Sequence, residues 1–306
     1  PGGHDIGTNL FIAGLISSSV QLLLMKEVMN IAGGNELISG AFLSSWLLGS
    51  AAGSRLASLS PLNDLKRINL LFAAGPLISL FLIILLSELF LSPGETPSFF
   101  SGVLFTFLVL TPFTLISGYT FIKLLSAASS RGVLPGKSFS IETVGGIIAG
   151  ISITILSGGI LNTYQIFFLT VILGFTYTIL SFLQVGKRYV SLLRISVLAV
   201  SSAVILLSPD TFIRDLLLKG INVTETTDTP YGNITTGEYM GEQSIYYDQR
   251  LLIYNNDAAE SEEDIHYAML QTTDPASVLL ISGPPVSRLR EILKYKVRKV
   301  VYVERD

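Results

Sequence analysis

The chain has no cysteine and only two histidines, His4 and His266. Without cysteine there is no disulfide frame, no thiolate metal site and no c-type haem attachment. Two histidines this far apart in sequence give no basis for a His-ligated centre, so neither haem nor metal is expected. Charge is scarce too. Only 14% of residues are Asp, Glu, Lys or Arg, against about 25% in an average soluble domain. The net charge of −3 leaves no basic footprint, which excludes nucleic acid as a partner. Pro1–Thr8 is too polar and too short to be a cleavable signal peptide.

Apolar sequence fills the space that charge leaves. Hydrophobic residues make up 49% of the 306, and mean hydropathy is +0.59. These values describe a membrane protein with a smaller soluble part, and the lipid bilayer is its first partner. A spanning helix needs about 20 mostly apolar residues. Seven stretches qualify: Asn9–Met29, Leu37–Leu59, Ile68–Leu91, Phe99–Leu125, Phe139–Ile160, Tyr164–Gln184 and Leu192–Leu207. Small residues spaced by four, Gly49 with Gly53 and Gly146 with Gly150, let helices approach closely in lipid. A solute path along those faces is the alternative to plain packing.

Lys and Arg in short loops set orientation. Arg55, Lys66 and Arg67 follow the second span; Lys123, Arg131 and Lys137 follow the fourth; Lys187, Arg188 and Arg194 follow the sixth. The loops after spans three and five carry none, and the former holds Glu88 and Glu95; only Lys26 runs against the bias. The expected arrangement is a multi-pass protein, of the bacterial inner-membrane kind. Its N-terminus is cytoplasmic and everything after Ser208 is periplasmic.

Four units are expected. Residues 1–208 form the transmembrane domain. Residues 209–221 form an interfacial connector, an amphipathic piece with Phe212, Leu216 and Leu217 on one side. Residues 222–260 form a β-hairpin domain, with strands at Asn233–Tyr239, Gln243–Asp248 and Arg250–Tyr254 and turns at Met240–Glu242 and Asp248–Gln249. Residues 261–306 begin an α/β fold. There a polar loop, Asn255–Ser261, leads into a helix over Glu262–Leu270 with Ser261 as N-cap. Then follow a strand at Val278–Ile281, a turn at Ser282–Ser287, a helix at Arg288–Tyr295 and a strand at Lys299–Val303 that ends on Glu304. Strand, turn, helix, strand, acid is the opening of a nucleotide-binding sheet. One such unit cannot bury both of its faces. Either further residues or another molecule is expected to complete it.

Several polar residues stand out. Glu142, near the start of the fifth span, is read as a helix cap or an interface contact, since a carboxylate at membrane depth is costly. Asn35 and Glu36 are read as the cap of the second span. Gln21, Lys26 and Glu27 are candidates for polar contacts between helices. In the turn, Gly283 is followed by Pro284 and Pro285, which remove two N–H donors and fix φ. That equips the turn poorly for an anion. Arg288 and Arg290 are read as solvated helix arginines.

Six phrases carry a resemblance. TPYGNITTGEY is similar to the S-P-Y-x-x-I segment of spermidine synthases, the polyamine aminopropyltransferases, and EEDIHYAMLQTTDPASVLLISG resembles their D-E-x-x-Y-H-E segment and first core strand. REILKY and VVYVERD resemble R-E-x-L-K-H and V-x-x-V-E-x-D. QLLLMKEVMNIAGGNELISGAFLSSWLLGSAAGS and SIETVGGIIAGI resemble the membrane part of a subgroup in which a multi-span domain precedes the synthase domain.

The resemblance implies a Rossmann-like, methyltransferase-type fold and an S-adenosylmethionine-type cosubstrate. It implies that Tyr231 and His266 face the substrate, and that Gly283 and Glu304 face the cosubstrate, Glu304 at the ribose. The sequence departs from the pattern. Gly232 stands where soluble members have Gln, Ile265 and Tyr267 flank the histidine, and the glycine-rich loop is reduced to SGPPVS. The family's catalytic Asp lies on a later strand than any in this chain. The expected fold is thus a mainly α-helical membrane bundle, a small β-hairpin domain and the start of a Rossmann-like α/β unit. The expected function is an anchor or scaffold built on a degenerate synthase domain, docking a protein partner or oligomer such as an extracytoplasmic redox protein or a filament. Aminopropyl transfer by the full-length chain is the alternative, and polyamine or small-solute transport the second.

Overall fold

The structure is a computed structural model that describes residues 6–90, 94–95, 97–182, 187–254, 258–283 and 285–304. Seven long helices open the chain: α1 (Ile6–Ala32), α2 (Glu36–Leu59), α3 (Leu65–Phe90), α4 (Phe99–Ser129), α5 (Pro135–Leu156), α6 (Thr163–Phe182) and α7 (Lys187–Leu207). The first six are long and apolar enough to cross a membrane; α7 joins them if it and the next helix, bent by 57°, count as one broken span. Each lies on a stretch chosen from hydropathy. This is a multi-pass membrane protein.

Asn35 caps α2: its side-chain oxygen accepts from the Ile38 amide at 3.0 Å, and Glu36 sits in the first turn. The close approaches are set by glycine. A Cβ on Gly53 would lie 2.1 Å from the Leu115 carbonyl, and one on Gly118 would lie 2.1 Å from that of Ser50, so α2 and α4 touch backbone to backbone. The same holds between α1 and α5 at Gly14 and Gly145. Gly146 faces the Ser18 hydroxyl, whereas Gly150 has nothing within 4 Å. The spacing argument therefore holds for Gly49 and Gly53 and fails for Gly150. The reason is register: the α5 face against α1 runs through Gly145. Glu142 lies two turns inside α5, too far from its end to cap it.

The connector is a helix, α8 (Pro209–Leu217), and its polar face is turned into the protein. Asp210, Ile213, Arg214 and Leu217 are buried, while Phe212 and Leu216 are exposed. After it come four strands, one more than expected: β1 (Asn222–Asp228), β2 (Asn233–Tyr239), β3 (Glu242–Tyr247) and β4 (Arg250–Tyr254), an antiparallel meander in that order. β1 escapes a hydropathy reading because its inward positions are Val223, Thr226 and Asp228, two of them polar. Two-residue turns at Met240–Gly241 and Asp248–Gln249 join β2 to β3 and β3 to β4, with positive φ at all four residues, the geometry that matches strand twist.

The last part holds α9 (Ala258–Met269), β5 (Ser277–Ile281), α10 (Pro285–Ile292) and β6 (Lys299–Val303). α9 starts at Ala258, so Ser261 is a buried helix residue and not a cap; Asn255, Asn256 and Asp257 lie outside the described residues. β5 and β6 pair in parallel, a single βαβ unit. Ile265, Met269, Leu280 and Ile292 form its small core. The other face, with Leu279 and Ile281 on β5 beside Val301 and Val303 on β6, is exposed.

Candidate functional site

The densest buried chemistry lies where the helical bundle meets the meander. The N-terminus of α6 points into this junction with unpaired amides, as any helix start does. Two carboxylates from other elements take them. Asp228, at the end of β1, accepts from the Thr163 amide at 2.6 Å and from the Thr163 hydroxyl. Asp210, in the first turn of α8, accepts from the Tyr164 amide at 2.9 Å. Negative charge is favoured there by the helix dipole. Asn162 completes the cap: its amide donates to Gln165 Oε1 at 2.8 Å, and its side-chain oxygen accepts from the Asp228 amide at 3.1 Å.

Two cations balance this charge. Lys26, near the end of α1, reaches Asp228 Oδ2 at 3.3 Å. Arg214 on α8 grips Glu27 of α1 with both terminal nitrogens, at 2.7 and 2.9 Å. That pair is fully desolvated, with Arg214 at 0% and Glu27 at 2% exposure. The guanidinium also lies over the Tyr164 ring, 5.2 Å from its centroid. Burial alone would raise the Asp228 carboxyl. Lys26 and Arg214 nearby, with hydrogen bonds from Thr163 and Asn233, bring it below the usual carboxylate range instead.

Beside this network is a pocket of about 370 Å³, bounded by Lys26, Asn30 and Ser157 from the bundle and by Tyr231, Gly232 and Asp248 from the meander. Thr229 shapes its loop: the hydroxyl accepts from the amides of Tyr231 and Gly232, both at 3.1 Å. Asp248 Oδ1 accepts from the Asn233 amide at 2.9 Å and, with the Asn30 amide turned to donate, from Asn30 at 3.1 Å. Burial pushes the Asp248 carboxyl up. Gly232 has a physical cause: a Cβ there would lie 2.6 Å from Asp248 Oδ1 and 2.8 Å from the Tyr247 ring. A glutamine there would require Asp248 or Tyr247 to move aside.

The other three expected site residues lie in the last part of the chain and do not line this pocket. His266 on α9 contacts two residues: its Nδ1 pairs with the Tyr295 hydroxyl, and its Nε2 lies 3.2 Å from Glu291 Oε2. Lys294 beside it holds the Glu291 carboxyl low. Gly283 follows β5 in a turn where Ser282 also has positive φ, +60° before +86°. Glu304 follows β6 directly, and the two strand ends are tied together. Ser282 donates to Glu304 at 2.9 Å; the Tyr302 hydroxyl contacts the other Glu304 oxygen and the Gly283 carbonyl. Arg288 is not merely solvated: it bonds Asp264 on α9 at 2.6 Å and the Ser282 carbonyl at 3.3 Å. Pro284 lies outside the described residues.

Comparison with protein-family models, curated proteins and solved structures finds no match.

Among the described residues no group of three or more His, Cys, Asp or Glu could hold a metal ion. Sequence reasoning named Lys26 and Glu27 but missed Asp210, Arg214 and Asp228. The signal was there for α8: Asp210, Ile213, Arg214 and Leu217 recur at the spacing of one helix face. Asp228 carries none, because its partner is a helix start 65 residues earlier.

Proposed function

We propose that this chain is a membrane anchor that holds a spermidine-synthase-like domain on the outer side of the membrane as a platform for a protein partner. The buried Arg214–Glu27 pair carries this reading. Together with Lys26–Asp228 and the two carboxylate caps on α6, it fastens α8 and the meander to the bundle through several buried polar bonds. A loop of the bundle also joins the meander: the Gly94 carbonyl accepts from the Leu251 amide on β4 at 3.1 Å. Such stiffness suits a platform. It suits a transporter less, since alternating access needs parts that move against each other. Between α1, α3 and α6, Asn9 and Asn69 border two spaces: one of about 10 Å³ against Ile16 and Phe72, roughly a single water, and one of about 180 Å³ toward the helix ends at Ile6 and Lys66.

The outer-side placement rests on the loop charges. Arg55, Lys66, Arg67 and Arg131 fall at the end of the bundle opposite the meander. A Rossmann-like reading of the last part rests on the parallel βαβ unit with an acid after its second strand. The open face at Leu279, Ile281, Val301 and Val303 is where such a unit takes further polypeptide. A photo-crosslinker placed at Leu279 should capture one discrete protein, or a second copy of the chain, in native membranes. A full-length chain that stays uncrosslinked there would reject the platform.

One observation favours the enzyme as a second reading. Ser282 and Gly283 turn left-handed straight after β5, and Glu304 stands beside them. That arrangement suits an adenosyl cosubstrate with its ribose at Glu304. Calorimetry of the full-length protein with decarboxylated S-adenosylmethionine decides it: binding lost in Glu304→Gln supports transfer chemistry, and no heat at all rejects it.

A further inference from the structure

A second cavity lies at the opposite end of the bundle and has a different character. It is a groove of about 330 Å³ between α2, α3 and α4, lined by Leu56, Leu62, Leu71, Leu115 and Thr120 with Tyr119 at its rim. Its wall is almost wholly apolar. Thr120 is the exception: its hydroxyl is buried with no hydrogen-bond partner. That hydroxyl is shielded from the groove, so the slot offers a ligand apolar contact alone.

The rim is basic. Arg55 precedes Leu56 on α2, Arg67 precedes Ile68 on α3, and Lys123 follows Tyr119 by one turn of α4, while Lys66 lies on the other side of α3, facing α1. Asp64 is the one acid in this stretch of the α2–α3 connection, and it pairs with Arg67 at 3.3 Å. Lys123 is 8% exposed and, among the described residues, bonds neutral oxygens, the Ser60 carbonyl at 2.8 Å and Asn63 Oδ1 at 3.0 Å, with its ammonium 5.7 Å from the Tyr119 ring centroid. A cation this well covered adds its field to the rim with no carboxylate beside it. An apolar slot that opens under a ring of positive charge at a helix-end level complements one kind of molecule: tails below, anionic headgroup above.

We infer that the α2–α3–α4 groove is a specific site for one anionic diacyl phospholipid, its chain along Leu71 and Leu115 and its phosphate beside Arg55 and Arg67, in the field of the covered Lys123. This site is separate from the junction network and does not depend on the platform reading.

Native mass spectrometry of the full chain tests it, with dioleoyl-phosphatidylglycerol and dioleoyl-phosphatidylcholine offered at equal concentration. The wild-type protein should retain one phosphatidylglycerol about tenfold more than phosphatidylcholine, the scale expected of several basic contacts. A variant carrying Arg55→Gln and Arg67→Gln should lose that preference. Leu71→Trp, at an exposed position on α3, should fill the slot and cut retention of both lipids while thermal unfolding stays unchanged. Excess glycerol phosphate should displace nothing, because the tail is required. Equal retention of the two lipids by the wild type overturns the site. So does a preference that survives the double substitution, retention unaffected by Leu71→Trp in a folded variant, or displacement by glycerol phosphate.

Discussion

Arg214 shows how much one residue can decide here. A buried pair gains little over well-packed apolar side chains, but breaking it strands a charge. Arg214→Ala leaves Glu27 alone in the interior and should destabilise the protein by about 3–5 kcal/mol. The double variant Glu27→Leu with Arg214→Met should recover most of that loss. Thermal unfolding in detergent compares the two; a double variant no better than Arg214→Ala would mean that the pair also fixes geometry. The two aspartates of the meander should answer pH with opposite sign. Asp228 is held low in the folded protein, so its contribution is full above its unfolded value, about 3.9, and is lost as pH falls through the folded value. Asp248 is raised, so its charged form costs stability as pH climbs through the window above about 3.9. Asp228→Asn should therefore lower neutral-pH stability and Asp248→Asn should increase it, read as unfolding midpoints across a pH series.

Among the elements, the helices were legible and their contacts were not. Hydropathy alone locates all seven long helices, because lipid demands apolar length. Which glycines touch a neighbour depends on helix rotation, which packing sets. Gly53→Leu should destabilise by about 1–3 kcal/mol or more through overpacking against Leu115. Gly150→Leu, with nothing within 4 Å, should be near neutral. Matching losses in the two variants would refute the α2–α4 backbone contact. α8 teaches the same lesson more sharply. Its apolar stripe of Phe212 and Leu216 suggested a membrane-surface helix. That stripe stays exposed, and the opposite, charged face is buried because Glu27 and the α6 amides offer Arg214 and Asp210 better partners than water does.

For the whole molecule, the absence of cysteine makes orientation simple to measure. A single Thr227→Cys on the meander should react with a membrane-impermeant thiol reagent in intact cells, and a single Ser58→Cys near the end of α2 should not. Both positions are exposed. The reverse pattern would place the meander in the cytoplasm. Of the expected site residues, Gly283 and Glu304 do meet at the ends of β5 and β6, as their place in a strand–helix–strand pattern implies. Tyr231 lines a different pocket, formed with the bundle, and His266 is engaged by Tyr295 and Glu291.

Composition and periodicity determined that this is a multi-span protein with a β-rich and then an α/β end, because those properties are local: apolar length, alternation, and turn chemistry at residues such as Gly241 and Gly283. Tertiary structure alone decided the junction. Asp228 and Asp210 become caps only when β1 and α8 fold back onto the start of α6, and Arg214 becomes a clamp only when Glu27 is opposite it. Those partners are separated by 46 to 187 residues. No local pattern encodes a bond across such a distance; the burial of charge, which water would otherwise oppose, forces each group to find its partner in space.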